Sequence, residues 1–296
     1  MYEAKIIADS VCAGHRLTTM QLTHPRIVHA EFNTHCAFAR NASSSRAIPF
    51  SKAVQRVIDD PFIPKYWGVN EKGMQASQEL TGHAREEAIT EWLRARDSAI
   101  ATATRMSAQL SVHKQIVNRL IEPWSWITVC VTGDASAWSN YFSLRCHPDA
   151  QPDIQEQAYM AQYEYFTHAP KELKIGEWHL PYITSEDRER AETFAYAFDT
   201  RLIVPDLVKI SVGRCARTSY LTQEGKRDFV EDVRLHDRLR YHVPLHASPF
   251  EHVCQAIGND DRCGKYVGWR AYRHMIPREY VEDFSPNHPL LVNKGD

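Results

Sequence analysis

At 296 residues the chain is long enough to bury a full core, as one large domain or two smaller ones. Its formal net charge of −2 provides no global basic field for nucleic acid, so any bound anion must be met by locally placed arginines. The seven cysteines include no C-x-x-C pair, which argues against a zinc ribbon, and their odd count suits a reducing compartment better than a disulfide framework.

The N-terminal stretch MYEAKIIADS meets Glu3, Lys5 and Asp9 too early for the apolar stretch of a signal peptide. No run of about 18 apolar residues occurs, so neither a membrane span nor a membrane partner is expected, and the expected location is the cytoplasm. Alternation in residues 4–9 and 16–24 predicts two strands joined by a turn at Ala13–Gly14. Ile27, Val28, Ala30 and Phe32 then suit a helix leading into a loop, THCAFARNASSSRAIPF (34–50). Residues 73–120 read as mostly helical, with no internal proline, and Ala88, Ile89, Trp92 and Leu93 form a core-facing stripe. The stretch WITVCVT (126–132) fits a buried strand or the start of a buried helix. Residues 161–184, with Pro170, Gly176 and Pro181, read as an irregular connection. A helix over 185–202 is predicted to start with Ser185 as N-cap and Glu186 and Asp187 in its first turn. A charged helix follows through 226–242, and the tail from Pro286 is expected to fray. The layout is mixed α+β, taken as one domain over 1–296.

Three segments concentrate polar groups that a plain core does not need. The loop at 34–50 carries Arg40, Arg46 and the run Ser43, Ser44, Ser45, a set suited to phosphate because arginine binds it bidentately. Ser and Asn also favour ordinary turns, so the same loop reads equally as a capped turn. Arg119 lies in an otherwise apolar helix end, and Arg145 follows Tyr141, Phe142 and Leu144. A guanidinium near a buried wall must meet an acceptor: Glu122, Asp149 or Asp153, or a ligand. The third segment pairs RCARTSY (214–220) with HASPFEH (246–252). His246, Glu251 and His252 fit no common zinc spacing, so no metal is expected.

Together these segments resemble the flavin-dependent thymidylate synthases. The family signature R-H-R-x7-S-x-R is matched by Thr34-His35-Cys36, seven residues, then Ser44-Ser45-Arg46. A later family segment is matched by Asn140, Leu144, Arg145, Ala150, Gln151, Ile154 and Gln155. The family's early segment, A-R-x-S followed by H-x-[ST]-P-F-E-H, is matched by Ala216, Arg217, Ser219 and residues 246–252. Here that early segment comes last, so residues 208–256 correspond to the N-terminal part of common members, as in a circular permutation. A permuted branch frequent in viruses of bacteria resembles this chain further at HKQIVNR (113–119) and RCHPDAQP (145–152). Against that branch, Cys36 and Ala39 replace Arg and Ser. A thiol does not replace a guanidinium at neutral pH unless its pKa is strongly shifted. Cys36 is read first as a tolerated, buried small residue and second as a tuned active site.

The resemblance implies a permuted α+β fold with a mixed sheet and long helices, assembled as a homotetramer. It implies methylation of dUMP at C5 to dTMP, a methyltransferase flavoprotein reaction of nucleotide biosynthesis. FAD is the implied cofactor, with NADPH and methylenetetrahydrofolate as co-substrates. Arg145 is then catalytic and substrate-binding, with Glu31, Ser43, Ser44, Ser45, Arg46 and Arg119 also on the nucleotide. The phosphate is expected on Ser44, Arg46 and the amides of Ser43 and Ser45. His35, Cys36, Asn140, Ser219, His246 and Ser248 are expected on the cofactor. Two other outcomes follow from Cys36 and Ala39: a changed C5 modification (a hydroxymethyl product or a dCMP substrate), or a nucleotide-binding protein without flavin chemistry.

Overall fold

The computed structural model describes residues 1–198, 203–220, 228–242 and 245–277. The end of the helix expected over 185–202 and the tail from Pro286 lie outside the described residues. In chain order, β1 (Glu3–Cys12) and β2 (His15–Pro25) form the expected hairpin, turning at Ala13 and Gly14, both at positive φ. The short helix α1 (His29–Phe32) leads to β3 (Ala39–Ala42), a strand within the stretch expected to be a loop. Then come α2 (Phe50–Asp59), α3 (Gly82–Leu110) and α4 (Lys114–Val117), followed by β4 (Trp126–Asp134), which settles WITVCVT as a strand. Residues 73–81, expected to be helical, are not.

Two helices follow, α5 (Ala135–Arg145) and α6 (Pro152–Thr167). The connection expected from residue 161 thus begins later, because the apolar spacing of α6 runs on to Tyr165 before Pro170 stops it. The rest comprises β5 (Lys171–Glu172), β6 (Trp178–His179), α7 (Ser185–Phe198), α8 (Ile203–Arg217), α9 (Phe229–Arg240), β7 (Cys254–Ala256), β8 (Arg262–Cys263), β9 (Tyr266–Val267) and β10 (Trp269–Ala271). The cap of α7 is Thr184 rather than Ser185: its amide and hydroxyl both donate to Asp187 at 2.9 Å, and the Asp187 amide donates back.

The main sheet has the order β3-β4-β2-β1-β5, antiparallel except for β5 beside β1, so the fold is mixed α+β with a mixed sheet. Strand alternation gives the sheet two unlike faces. Met20, Leu22, Val129 and Val131 point to one side and pack against Trp138, Tyr141 and Phe142 of α5 and Ile154 and Ala158 of α6. Thr19, Gln21, Thr128, Cys130, Thr132 and Asn41 occupy the alternate positions and form a polar face. On that side Ser10, His179, Thr19, Thr132 and His252 form a buried chain of side-chain hydrogen bonds, each 2.6–2.9 Å.

A second core forms around α8 and α9 with Leu180, Phe250 and Val253. The two helices approach closely at Gly213, where an added Cβ would lie 2.4 Å from the Asp232 carbonyl oxygen. That approach brings Arg214 and Arg217 onto the fully buried Asp232, and Arg214 also onto Asp187. Burial alone would raise Asp187, but hydrogen bonds from Arg214 and Thr184 outweigh it and bring its carboxyl down to about 2. A carboxyl lowered in the folded state stabilises above its unfolded value, 3.8, and loses that contribution as pH falls toward its folded value. Denaturant midpoints should therefore fall between about pH 4 and pH 2, and Asp187→Asn should flatten that part of the profile.

Candidate active site

The edge strand β3 organises the polar residues that the sequence singled out, with one cluster at each end. Ahead of it, α1 and the following turn present Glu31, Thr34 and His35 to Arg145, in the last turn of α5. Arg145 Nε donates to His35 Nε2 at 2.9 Å, Nη1 to Glu31 Oε2 at 3.4 Å and Nη2 to the Thr34 hydroxyl at 3.3 Å. Because His35 Nε2 accepts, the ring proton sits on Nδ1. Burial and the nearby Arg145 and Arg40 hold His35 down to about 4, so the ring is neutral at pH 7. The guanidinium is thus fixed in orientation, yet it keeps unused N–H groups. Its acceptors are none of Glu122, Asp149 or Asp153; Asp153 instead accepts from Tyr2 and Gln151.

Beyond β3, the serine loop meets two segments from far along the chain. Asn41 Oδ1 accepts from the hydroxyls of Ser219 (3.0 Å) and Ser248 (3.3 Å), and Asn41 Nδ2 donates to the Cys215 carbonyl at 2.6 Å. The Ser44 amide donates to the Ser219 carbonyl. Asn41 is buried and was not among the expected site residues; its place in the alternation Ala39, Asn41, Ser43 was the available signal. Asn41→Ala strips two hydroxyls and a carbonyl of their partner and should cost about 1–3 kcal/mol, read from denaturant unfolding.

Ser43 and Ser45 also line a cleft of about 460 Å³ with Arg26, Arg56, Asn118 and Thr218, within the size range of small-ligand sites. Arg26 and Arg56 were missed because no local motif marks them. Arg26 donates to the Ser43 carbonyl at 3.3 Å and lies 3.6 Å from Glu122.

Other expected site residues are distributed differently. The Ser43 amide donates to the Thr128 carbonyl, and its hydroxyl accepts from the Thr128 amide, so that amide is spent on the sheet rather than free for an anion. Arg46 is exposed and, among the described residues, its guanidinium has no hydrogen-bond or ion-pair partner. Arg119 is exposed too, 3.9 Å from Glu122. Cys36 is exposed rather than packed in a core as expected. Asn140 lies on an exposed face of α5. His246 is exposed with its ring edge-on to His242, whereas His252 is buried against Thr132, so the two do not converge on one point.

The six residues expected on FAD come from four separate stretches of the chain. His35 and Cys36 precede β3, Ser219 and Ser248 meet Asn41 of β3, His246 lies two residues before Ser248, and Asn140 lies on α5 beside Tyr141, whose ring packs edge-on to His35.

No protein-family model matches the chain, and no curated protein matches its sequence. Solved structures similar to it include the UMP/dUMP methylase PolB from Streptomyces cacaoi, in two structures. The one bound with 5-Br dUMP aligns at 15% identity over 51% of this chain and 66% of that one, just under two thirds of its length, with a TM-score of 0.40. The one bound with 5-Br UMP aligns at 12% identity over 56% and 89%, with a TM-score of 0.45. Thymidylate synthase X from Helicobacter pylori with FAD and dUMP aligns at 12% identity over 50% and 67%, with a TM-score of 0.34. Among the described residues no helix is long and apolar enough to cross a membrane.

Proposed function

We propose that this chain modifies C5 of a pyrimidine nucleoside monophosphate, with methylation of dUMP to dTMP as the reaction. One observation carries the reading: segments 178 and 207 residues apart meet around Asn41, and they are the same segments that carry the family resemblance. C5 of uracil is a poor nucleophile until negative charge is pushed into the ring. A cation held rigidly at the ring's polar edge favours that charge without reorganising during the reaction. Arg145 is the group for this task, because neutral His35 and Glu31 fix its orientation and leave donors to spare. Ser44, Ser45 and Arg46 are assigned to the 5′-phosphate, with Ser43 contributing through its hydroxyl only.

Arg145 stands on the helix-covered side of the sheet, whereas Ser43 and Ser45 open into the cleft on the polar side. Placing both groups on one nucleotide draws on more than one copy of the chain, as does the scattered set of FAD residues and the outward-facing Arg119. The homotetramer implied by the resemblance would satisfy all three, in the cytoplasm of a cell or of a virus-infected bacterial host. When bound, FAD would carry the hydride supplied by NADPH, with methylenetetrahydrofolate as carbon donor.

The test is mass analysis of products after incubating purified protein with dUMP or dCMP, methylenetetrahydrofolate, NADPH and FAD. dTMP is the expected product; a colourless protein that binds dUMP without turnover would overturn the reading. Arg46→Ala should weaken dUMP binding by roughly 10–100-fold and leave deoxyuridine binding nearly unchanged, since a phosphate contact is worth about 1.5–3 kcal/mol. Titration of both ligands checks this, and equal losses would remove the serine loop from the phosphate.

A further inference from the structure

We infer that Ser10, His179, Thr19, Thr132 and His252 form a reversible proton relay across the polar face of the sheet, in which the two imidazoles share one tautomer. This relay does not depend on the proposed reaction. Ser10 Oγ lies 2.9 Å from His179 Nδ1, and His179 Nε2 lies 2.8 Å from Thr19 Oγ1. Thr19 and Thr132 stand directly opposite each other in the β2–β4 register, with their hydroxyls 2.6 Å apart. Thr132 Oγ1 in turn lies 2.8 Å from His252 Nδ1. Four of the five members are at most 1% exposed, and Ser10, at 5%, is the outer end.

Hydrogen-bond valence fixes how the run is wired. A hydroxyl has one proton to donate, and a neutral imidazole has one donor and one acceptor nitrogen. Burial holds His179 down to about 3, so its ring is neutral at pH 7. A second proton on His252 would sit on Nε2, which is buried and, among the described residues, has no hydrogen-bond partner. Two arrangements then satisfy all four contacts. In the outward one, His252 Nδ1–H donates to Thr132, Thr132 to Thr19, Thr19 to His179 Nε2, and His179 Nδ1–H to Ser10. In the inward one every bond is reversed, and both rings carry their proton on Nε2. Opposite tautomers break the run at the threonine pair. Either one hydroxyl proton has no acceptor in the run, or two oxygens 2.6 Å apart face each other with no proton between them. Cys130 Sγ reaches His252 Nδ1 only at 3.7 Å, a weaker contact that does not substitute for the threonine.

Switching from outward to inward moves one proton along the whole run. A proton arrives on His252 Nε2, and Nδ1 gives its own to Thr132. Thr132 passes its proton to Thr19, Thr19 to His179 Nε2, and His179 Nδ1 to Ser10, whose hydroxyl proton leaves to water. One proton enters, one leaves, and no charge stays in the interior. His252 directly follows the turn Ser248–Glu251, whose Ser248 hydroxyl donates to Asn41 at the candidate site. The inner end of the relay is therefore held by the segment that forms that junction, and the outer end by β1.

The test reads the ring nitrogens of isotope-labelled wild-type protein by NMR at neutral pH, with each ring assigned through bonds to its own backbone. The expected result is one shared neutral tautomer, either Nδ1–H on both His179 and His252 or Nε2–H on both. Opposite tautomers, or an imidazolium at either position, would overturn the relay. Transport is read separately by transfer into heavy water. Thr132→Val removes the linking hydroxyl at nearly the same shape. In that variant, exchange of the His252 ring proton should slow by at least about 10-fold relative to the β4 amides, while His179 keeps its rate. An unchanged ratio would also overturn the relay. The tautomers are read on the wild type, so a poorly folding variant cannot obscure the outcome.

Discussion

Arg145→Ala should lower turnover of dUMP by about 10²–10³-fold at saturating nucleotide, the loss typical of removing one preorganised charged donor from a developing anion. The loss should fall on kcat more than on KM, because the contact strengthens as charge enters the ring. Arg145→Lys should rescue little: an ammonium cannot donate to His35, Glu31 and Thr34 in the fixed fork that the guanidinium makes. His35→Phe offers a complementary reading, since it keeps the ring volume but removes the acceptor that aims Nε. Initial rates with dUMP, alongside circular dichroism to show an intact fold, make the measurement. Near-normal rates for Arg145→Ala at saturating nucleotide would remove it from the chemistry.

Asp232→Ala should destabilise the chain by about 3–5 kcal/mol. Its carboxylate is fully buried and accepts from Arg214 Nε at 3.0 Å and Arg217 Nε at 2.7 Å. Arg214 retains Asp187 after the substitution, but Arg217 loses the carboxylate that its Nε donates to, inside a packed helix pair. The cost comes from stranding a cation where water cannot reach it, not from the worth of the original pair. Asp232→Asn should be milder because its amide oxygen still accepts. Urea unfolding decides the matter, and a loss below about 1 kcal/mol would show that the helices separate enough to admit water.

Much of the scaffold was legible because periodicity reports local geometry. The β1–β2 hairpin, the long helix α3 and the charged helix α9 follow directly from alternation or amphipathic spacing. WITVCVT was ambiguous because a short apolar run satisfies either period, and its pairing with both β2 and β3 decides for a strand. β3 was hidden because four residues, ARNA, are too few to show a period, and their strand character comes from β4. At the site, the resemblance assigned Arg145 and Glu31 to the nucleotide and His35 to the cofactor, and in the fold Arg145 donates to both of the others. The acceptors proposed for Arg145 from sequence neighbours were wrong because proximity along the chain says little about where a helix end points. Asn41 and the Arg26 and Arg56 lining of the cleft went unseen for the same reason: their roles exist only after distant segments have packed.

The hydrogen bonds from Ser219 and Ser248 to Asn41 also bear on how the protein comes into being. They close loops of 178 and 207 residues, among the longest that this chain can make. During synthesis at about 5–20 residues per second, the serine loop must therefore wait roughly 10–40 s for the last of its partners to emerge. Until then the polar face of the sheet has no lid, and Cys130 and Asn41 are open to water and to other nascent chains. Non-local closure of this kind also slows folding, because chain entropy is lost before the contacts that repay it can form. Truncation between β4 and residue 248 should thus yield a chain that keeps the strands β1, β2 and β4 but lacks the Ser248 contact that completes the site.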